Sequence, residues 1–293
     1  MRFRSVVIPA ALGLLTFLGL LHAQKPFKQW PAIEYADDFP LPPDWNQKAD
    51  WTRARLRYPD IVGYPDRPLF YQGGRPFPGY WTMDYPRSDR HLLQGVRRLT
   101  LIDTRSVEQV VSLDGTDEIF NWPVLYGVEV GHWRLPADQA AQLRDYLLRG
   151  GFLMVDDFHG SNAADHAASP GGEFINEWEN FTDSMSLVFP DRNIEDIPDG
   201  DPIFHVLYDL QDRFQVPGAQ YFDTGITYEK GPTGKVPHWR AIRDDRGRIM
   251  VAICHNMDLG DAWEVSDEPR YPEKWASLAY RIAMNYFIYD LSH

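Results

Sequence analysis

Two polar clusters in this sequence each follow a short apolar run, and their residue types could do chemistry. Asp156-Asp157-Phe158-His159-Gly160 follows Phe152-Leu153-Met154-Val155, and His255-Asn256-Met257-Asp258-Leu259-Gly260-Asp261 follows Ile249 to Cys254. Carboxylates beside imidazoles can coordinate a divalent metal, or divide general-acid and general-base work between them. If the two runs are neighbouring strands, Asp156, Asp157, His159, His255, Asn256 and Asp258 would meet in one cleft, because ligand groups in open α/β sheets gather beyond the carboxyl ends of the strands. The same letters have a structural reading. Asp156 and Asp157 would then cap the following turn, and His255 would be a satisfied hydrogen-bond partner at the sheet end. Asp-Asp-x-His matches no specific metal signature, so no cofactor follows from spacing and a divalent metal stays optional.

A third concentration is Asp84-Tyr85-Pro86-Arg87-Ser88-Asp89-Arg90-His91. Here Arg90 could receive a carboxylate and Tyr85 could donate a hydrogen bond or stack, while helix capping by Asp84 explains the same residues. Asp258, Asp261 and Asn256 are further ligand candidates, with Trp263 and Tyr271 as an aromatic wall or as core. Cys254 and His255 are adjacent on an expected strand and point to opposite faces, so they cannot readily form a dyad. The chain has no dinucleotide-binding Gly-x-Gly-x-x-Gly, no phosphate-cradling loop and no Gly-x-Ser-x-Gly elbow.

The elements that must position these residues are partly visible. Pro136 suits a first helical turn, Ala140, Leu143, Tyr146 and Leu147 fall at helical spacing, and Gly150-Gly151 stops the helix before Phe152-Leu153-Met154-Val155. A helix, a glycine break and a fully apolar strand are what a parallel sheet with crossover helices requires. Further strands are expected at Ala54 to Tyr58, Val107 to Leu113 and Phe120 to Val128. His238 to Ile242 and Ile249 to Cys254 read as a hairpin around Asp244-Asp245-Arg246-Gly247. Helices are expected to Leu99 (with Leu92, Leu93, Val96 and Leu99 on one side), over Phe174 to Met185, and over Glu273 to Tyr289, with a polar segment from His255 to Tyr271.

The ends and the composition bound the setting. Arg2 and Arg4 precede an apolar run from Val6 to Leu21 that closes at Ala23, the pattern of a cleaved secretory signal over residues 1–23. The expected location is therefore the periplasm or the exterior, and no later stretch is long and apolar enough to cross a bilayer. Removing residues 1–23 takes away two arginines and no acid, moving the net charge from −13 to −15. Such acidity argues against nucleic-acid binding, which relies on Lys and Arg at phosphates. The single cysteine, Cys254, forms no internal disulfide. Residues 24–50, rich in proline and aromatic rings, read as an extended arm on a single domain over 51–293.

The order of several blocks resembles the bacterial family catalogued as domain of unknown function 4159. These are Ala54-Arg55-Leu56-Arg57-Tyr58, Asp84-Tyr85-Pro86, Leu135 to Gly160, Val188-Phe189-Pro190, Asp201-Pro202-Ile203-Phe204-His205, His255 to Trp263 and Asn285-Tyr286-Phe287, spread over roughly residues 50 to 290. The resemblance implies an α/β fold of the flavodoxin-like, class I glutamine amidotransferase-like kind, similar to trehalose-utilisation-like proteins: a mostly parallel sheet with helices on both faces. It implies no settled activity. Amidotransferases carry a cysteine on a tight turn after a strand, where this chain has Asp156-Asp157.

Three functions follow as expectations. The first is an exported ligand-binding protein, accessory to envelope or carbohydrate metabolism. In it Asp156, Asp157, His159, His255 and Asp258 hold a small polar molecule, carbohydrate or cation. The second is a hydrolase with Asp156 or Asp157 as base and His159 or His255 as proton donor, metal-assisted or not. The third is an envelope assembly partner that uses the aromatic arm.

Overall fold

A computed structural model describes residues 25–32, 40–49, 51–60, 71–72, 75–76, 78–161, 167–168 and 174–293. The expected signal over 1–23 lies outside the described residues. The main sheet contains β1 (Ala54–Arg57), β2 (Gln109–Ser112), β3 (Val124–Val128), β4 (Phe152–Asp156), β5 (Glu195–Asp196), β6 (His238–Arg243) and β7 (Ile249–His255). Its order is β2-β1-β3-β4-β7-β6-β5, parallel from β2 to β7 and antiparallel across β6 and β5. The chain is thus α/β, with a seven-stranded, mostly parallel sheet. β4 and β7 are hydrogen-bonded neighbours, with Leu153, Met154 and Val155 opposite Val251, Ala252 and Ile253.

Alternation along the strands feeds two cores. Phe152 and Met154 of β4, with Ala252 and Cys254 of β7, pack under α1 (Arg87–Leu99), α4 (Leu259–Glu264) and α5 (Glu273–Ser292). Leu153, Val155, Val251 and Ile253 pack on the other face under α2 (Ala137–Leu148) and α3 (Glu177–Val188). Runs buried on both faces explain why β4 and β7 read as continuous apolar segments. β1 is different. Ala54 and Leu56 enter the second core, whereas Arg53 and Arg55 lie fully buried on the α1 side. Asp89 of α1 answers both, its Oδ2 2.8 Å from Arg55 Nε and its Oδ1 pairing with Arg53.

Several expected elements shift. Phe120 does not begin a strand: Asp117–Asn121 is a 3-10 turn, and β3 starts at Val124, after Pro123, which lacks the N–H a central strand would use. The third helix starts at Glu177, capped by Asn176, whose side chain accepts from the Glu179 N–H. The segment His255 to Tyr271 contains α4, since Asp258 supplies an N-cap for Leu259–Glu264. α1 has no side-chain cap, so Asp84 does not serve there, and Leu99 is exposed.

The described parts of the N-terminal segment lie against the domain. The Lys25 N–H donates to Glu118, the Trp30 ring meets Trp81 edge-on at 5.7 Å, and the Pro40 carbonyl accepts from Arg90 at 3.0 Å. Among the described residues, no helix is long and apolar enough to cross a membrane.

Candidate functional site

β1 and β3 are adjacent, yet the chain leaves β1 toward β2 and returns to the other side at β3, so the strand order reverses between them. Carboxyl ends at such a reversal form a natural crevice. Glu129, the first residue beyond β3, takes a left-handed backbone with φ 50° and ψ 37°. Tyr58, just beyond β1, holds this turn with its hydroxyl 2.7 Å from the Val128 carbonyl and 2.9 Å from that of Glu129. The 3-10 turn Val130–His132 then carries His132 back, setting its Nε2 3.4 Å from Glu129 Oε2. Glu177, at the start of α3, brings Oε1 to 3.5 Å from the same nitrogen. Gly131 makes this approach feasible, because a Cβ there would overlap the Glu177 side chain. Asn180 locks α3 to the turn by donating to the Gly131 and Trp133 carbonyls at 2.8 and 2.6 Å. The Tyr80 ring stacks on His132 at 3.7 Å.

The next strand repeats the device. Asp157 follows β4 with φ 55°, and its N–H donates to the Met257 carbonyl at 2.9 Å. His159 Nε2 lies 3.2 Å from Asp157 Oδ1 and 3.9 Å from Glu229 Oε1. The His159 N–H donates to Glu177 Oε2 at 2.7 Å, joining the two groups. Lys230, also left-handed with φ 52°, places Nζ 3.2 Å from Glu177 Oε1. In Glu129, His132 and Glu177, and again in Asp157, His159 and Glu229, the ligating atoms lie within 4.8 Å of one another.

Burial pushes the Glu129 carboxyl well above the ordinary range, and the charges of Asp157 and Glu177 push the same way. Asp157 is raised by burial first, then by Glu229 and Asp156. Glu177 also feels burial upward, yet the imidazole of His132 and the charges of Lys230 and His159 overcome it and bring it down to about 2. One carboxyl is thus held ionised beside two that favour the protonated form. That split is what acid–base division, or capture of a positive ligand, requires.

A model of the family described as domain of unknown function (DUF4159) matches residues 70–291. The chain belongs to the DUF4159 family. β1 precedes the matched stretch, although Arg53 and Arg55 pair with Asp89 inside it. No curated protein matches the chain.

Within this DUF4159 domain the residues singled out from sequence separate. Asp157 and His159 stand in the cluster. Asp156 is turned toward α4, where its Oδ2 accepts from the Leu259 and Gly260 N–H groups at 2.8 and 3.1 Å; burial pushes its carboxyl up to about 6. Asp258 caps α4 by accepting from the Asp261 N–H at 2.7 Å, and Asp84, Asp258 and Asp261 form a separate carboxylate group. Gly260 has no room for a side chain, since a Cβ would overlap Asp84 Oδ2.

His255 is stacked among Phe158, Trp178 and His238, with Nε2 3.0 Å from the Gly160 carbonyl and Nδ1 3.4 Å from Arg240. Burial, with the Arg240 charge beside it, pulls its pKa down to about 3, so it holds no second proton to donate at neutral pH. Asn256 clasps loops, donating to the Thr233 and Val236 carbonyls and accepting from the Gly160 N–H. The Tyr85 hydroxyl accepts from the Trp30 N–H at 3.2 Å, and Arg90 Nε lies 3.6 Å from Glu108. Trp263 is buried edge-on to Tyr126, and the Tyr271 hydroxyl donates to the Pro217 carbonyl. Neither ring forms an open wall.

Glu129, His132, Glu177, Glu229 and Lys230 were not foreseen. Glu129 had a signal: it immediately follows a strand expected to end at Val128, the same kind of position that Asp156-Asp157 hold after Val155. Glu177 and Lys230 had none, being a helix residue and a loop residue brought in by packing. A groove of about 610 Å³ elsewhere, between Arg149-Gly150 and the Asp244 to Arg248 turn, adjoins the amino end of β4 and none of these residues.

Proposed function

We propose that this DUF4159 protein is an exported binding protein. It holds a small polar ligand, rich in hydrogen-bond donors or positively charged, at the cluster of Glu129, His132, Asp157, His159, Glu177 and Glu229. The observation that carries the reading is the pair Glu129 and Asp157. Both are left-handed, both directly follow neighbouring parallel strands, and Glu129 lies at the reversal of strand order with Asp157 one strand away. A non-glycine residue in that backbone region costs roughly 1–2 kcal/mol, a cost that fits a binding role better than a structural one. Four carboxyl groups supply acceptors, so polyol hydroxyls or an ammonium group complement the site, consistent with a role accessory to envelope or carbohydrate metabolism. The order β2-β1-β3-β4-β7 supports a flavodoxin-like, amidotransferase-like scaffold. Export rests on the basic and apolar run at residues 2–23.

The test is a thermal-shift and calorimetric screen of sugars, polyols and amines on the full chain and on Asp157→Asn. A compound that raises the melting temperature of the parent, with the effect lost in the variant, supports the reading. A screen that leaves the parent unmoved, or moves both proteins equally, rejects this site.

One observation favours a hydrolase as second reading: Asp157 Oδ1 and His159 Nε2 are 3.2 Å apart at the end of β4, a pair able to activate water. Turnover of a ligand found in the screen, abolished in His159→Gln with binding retained, would favour it over binding alone.

A further inference from the structure

The geometry points to a divalent transition-metal ion held by Glu129, His132 and Glu177, in the place where the Lys230 ammonium now sits. The inference rests on reading this cluster as a ligand site, and names what the site takes.

Three donors converge from two elements: a glutamate just before one 3-10 turn and the histidine at its end, and a glutamate from the start of α3. The His132 Nε2 to carboxylate separations, 3.4 and 3.5 Å, are long for hydrogen bonds. They match the edge of a tetrahedron, about 3.4 Å, around an ion with bonds of ~2.0–2.2 Å. Glu177 is 2 % exposed, and its Oε1, aimed at His132, makes no hydrogen bond of acceptable geometry. The near neighbour of that oxygen is Lys230 Nζ at 3.2 Å, on a side chain that is 24 % exposed. Three carboxyl groups, those of Glu129, Glu177 and Glu229, act on this one ammonium. A divalent ion carries twice the charge of that ammonium and can take several carboxyl oxygens at once.

The donor set selects the ion. Calcium and magnesium favour oxygen ligands alone, while one imidazole with two carboxylates suits zinc, manganese or ferrous iron. Three protein ligands also leave a position open, where water or the polar ligand itself could coordinate. The second group, Asp157, His159 and Glu229, joins this one through the His159 N–H bond to Glu177 Oε2.

The experiment uses the full chain without a histidine tag, stripped with chelator, and titrated calorimetrically with Zn²⁺ alone and Mn²⁺ alone, with circular dichroism confirming the fold. One ion per chain is expected, with affinity at least about tenfold weaker in His132→Gln. Lys230→Met, which removes the competing cation, should bind about tenfold more tightly. Wild-type protein that neither releases heat nor gains melting temperature with millimolar Zn²⁺ or Mn²⁺ overturns the inference. So does binding lost in His159→Gln but unchanged in His132→Gln. Should His132→Gln fail to fold, Lys230→Met decides, and unchanged or weaker affinity rejects the site. Protein that responds to neither ion yet binds a polyol or amine in an Asp157-dependent way overturns the metal and keeps the binding site. Protein that responds to neither metal nor ligand overturns both.

Discussion

Glu129 and Asp157 are the first residues beyond the paired strands β3 and β4, and they share a left-handed backbone, with φ of 50° and 55°. Strand neighbours normally diverge after their last ladder bond. Here the same turn conformation sends two carboxyl groups toward one cluster, where the Asp157 charge adds to burial in raising the Glu129 carboxyl. Glycine would adopt this backbone without cost. Asp157→Gly is therefore expected to stabilise the fold by roughly 1 kcal/mol while abolishing ligand response. Urea denaturation measures the first effect and the ligand screen the second. A loss of stability would mean that the Asp157–His159 contact outweighs the strain.

Gly131 separates Glu129 from His132 and lies flat against α3. Gly131→Ala should push Glu177 away from His132, opening the 3.5 Å contact and costing roughly 1–3 kcal/mol from overpacking. Denaturation gives the cost. His132 ring chemical shifts in NMR that are unchanged between parent and variant would contradict the predicted displacement.

The α1 face of β1 is held by charge rather than by apolar packing. Asp89 serves both Arg53 and Arg55, and all three side chains are fully buried. Asp89→Asn leaves two guanidinium groups without their counter-ion and should cost roughly 3–5 kcal/mol. The triple change Arg53→Met, Arg55→Met, Asp89→Leu should recover most of that loss. A triple variant no more stable than the single one would show that the arginines do more than balance Asp89.

His255 makes stability depend on pH. Its unfolded imidazole titrates near the ordinary 6.5 and its folded one at about 3. Between those values the unfolded chain binds the extra proton. The contribution is therefore complete above pH 6.5 and lost as pH falls toward 3, by up to about 1.4 kcal/mol per pH unit. Asp156 acts oppositely, since its raised carboxyl adds stability that is full below 3.8 and lost as pH rises through about 6. His255→Gln should flatten the acid-side decline, so the stability gap between parent and variant should narrow from pH 7.5 to pH 5 in urea titrations. A gap that widens on acidification would contradict the assignment.

Cys254 faces Tyr286 inside the core, its Sγ 3.7 Å from the hydroxyl, and burial pushes the thiol well above its ordinary value. It should resist alkylation in the native protein and react fully in urea. Cys254→Ala should leave ligand binding intact. Rapid native labelling, or lost binding, would return the thiol to consideration.

Much of the architecture was legible because local rules and tertiary demands agree there. Pro136 and Gly150-Gly151 punctuate α2, and the apolar runs of β4 and β7 announce strands buried on both faces. The rule that ligand groups follow parallel strands led to Asp157 and His159 directly from the letters. The same rule points to Glu129 at the end of β3. Residues next to the cluster in sequence were harder to judge. Asp156 and Asp157 are chemically alike, and only the left-handed turn between them sends one to the α4 backbone and the other to the cluster.

What the sequence determined by itself is what depends on near neighbours: the periodicity of strands and helices, the acidity that disfavours nucleic acid, the lone cysteine. What only the tertiary structure decided is partnership. Glu177 and Lys230 carry no mark of function in their own segments, and they matter because α3 and a distant loop pack over the ends of β3 and β4. His255 carries every mark and is spent on an aromatic stack and the Gly160 carbonyl. A side chain's chemistry is set by its charge environment and its access to solvent, and both are properties of packing between segments far apart in the chain.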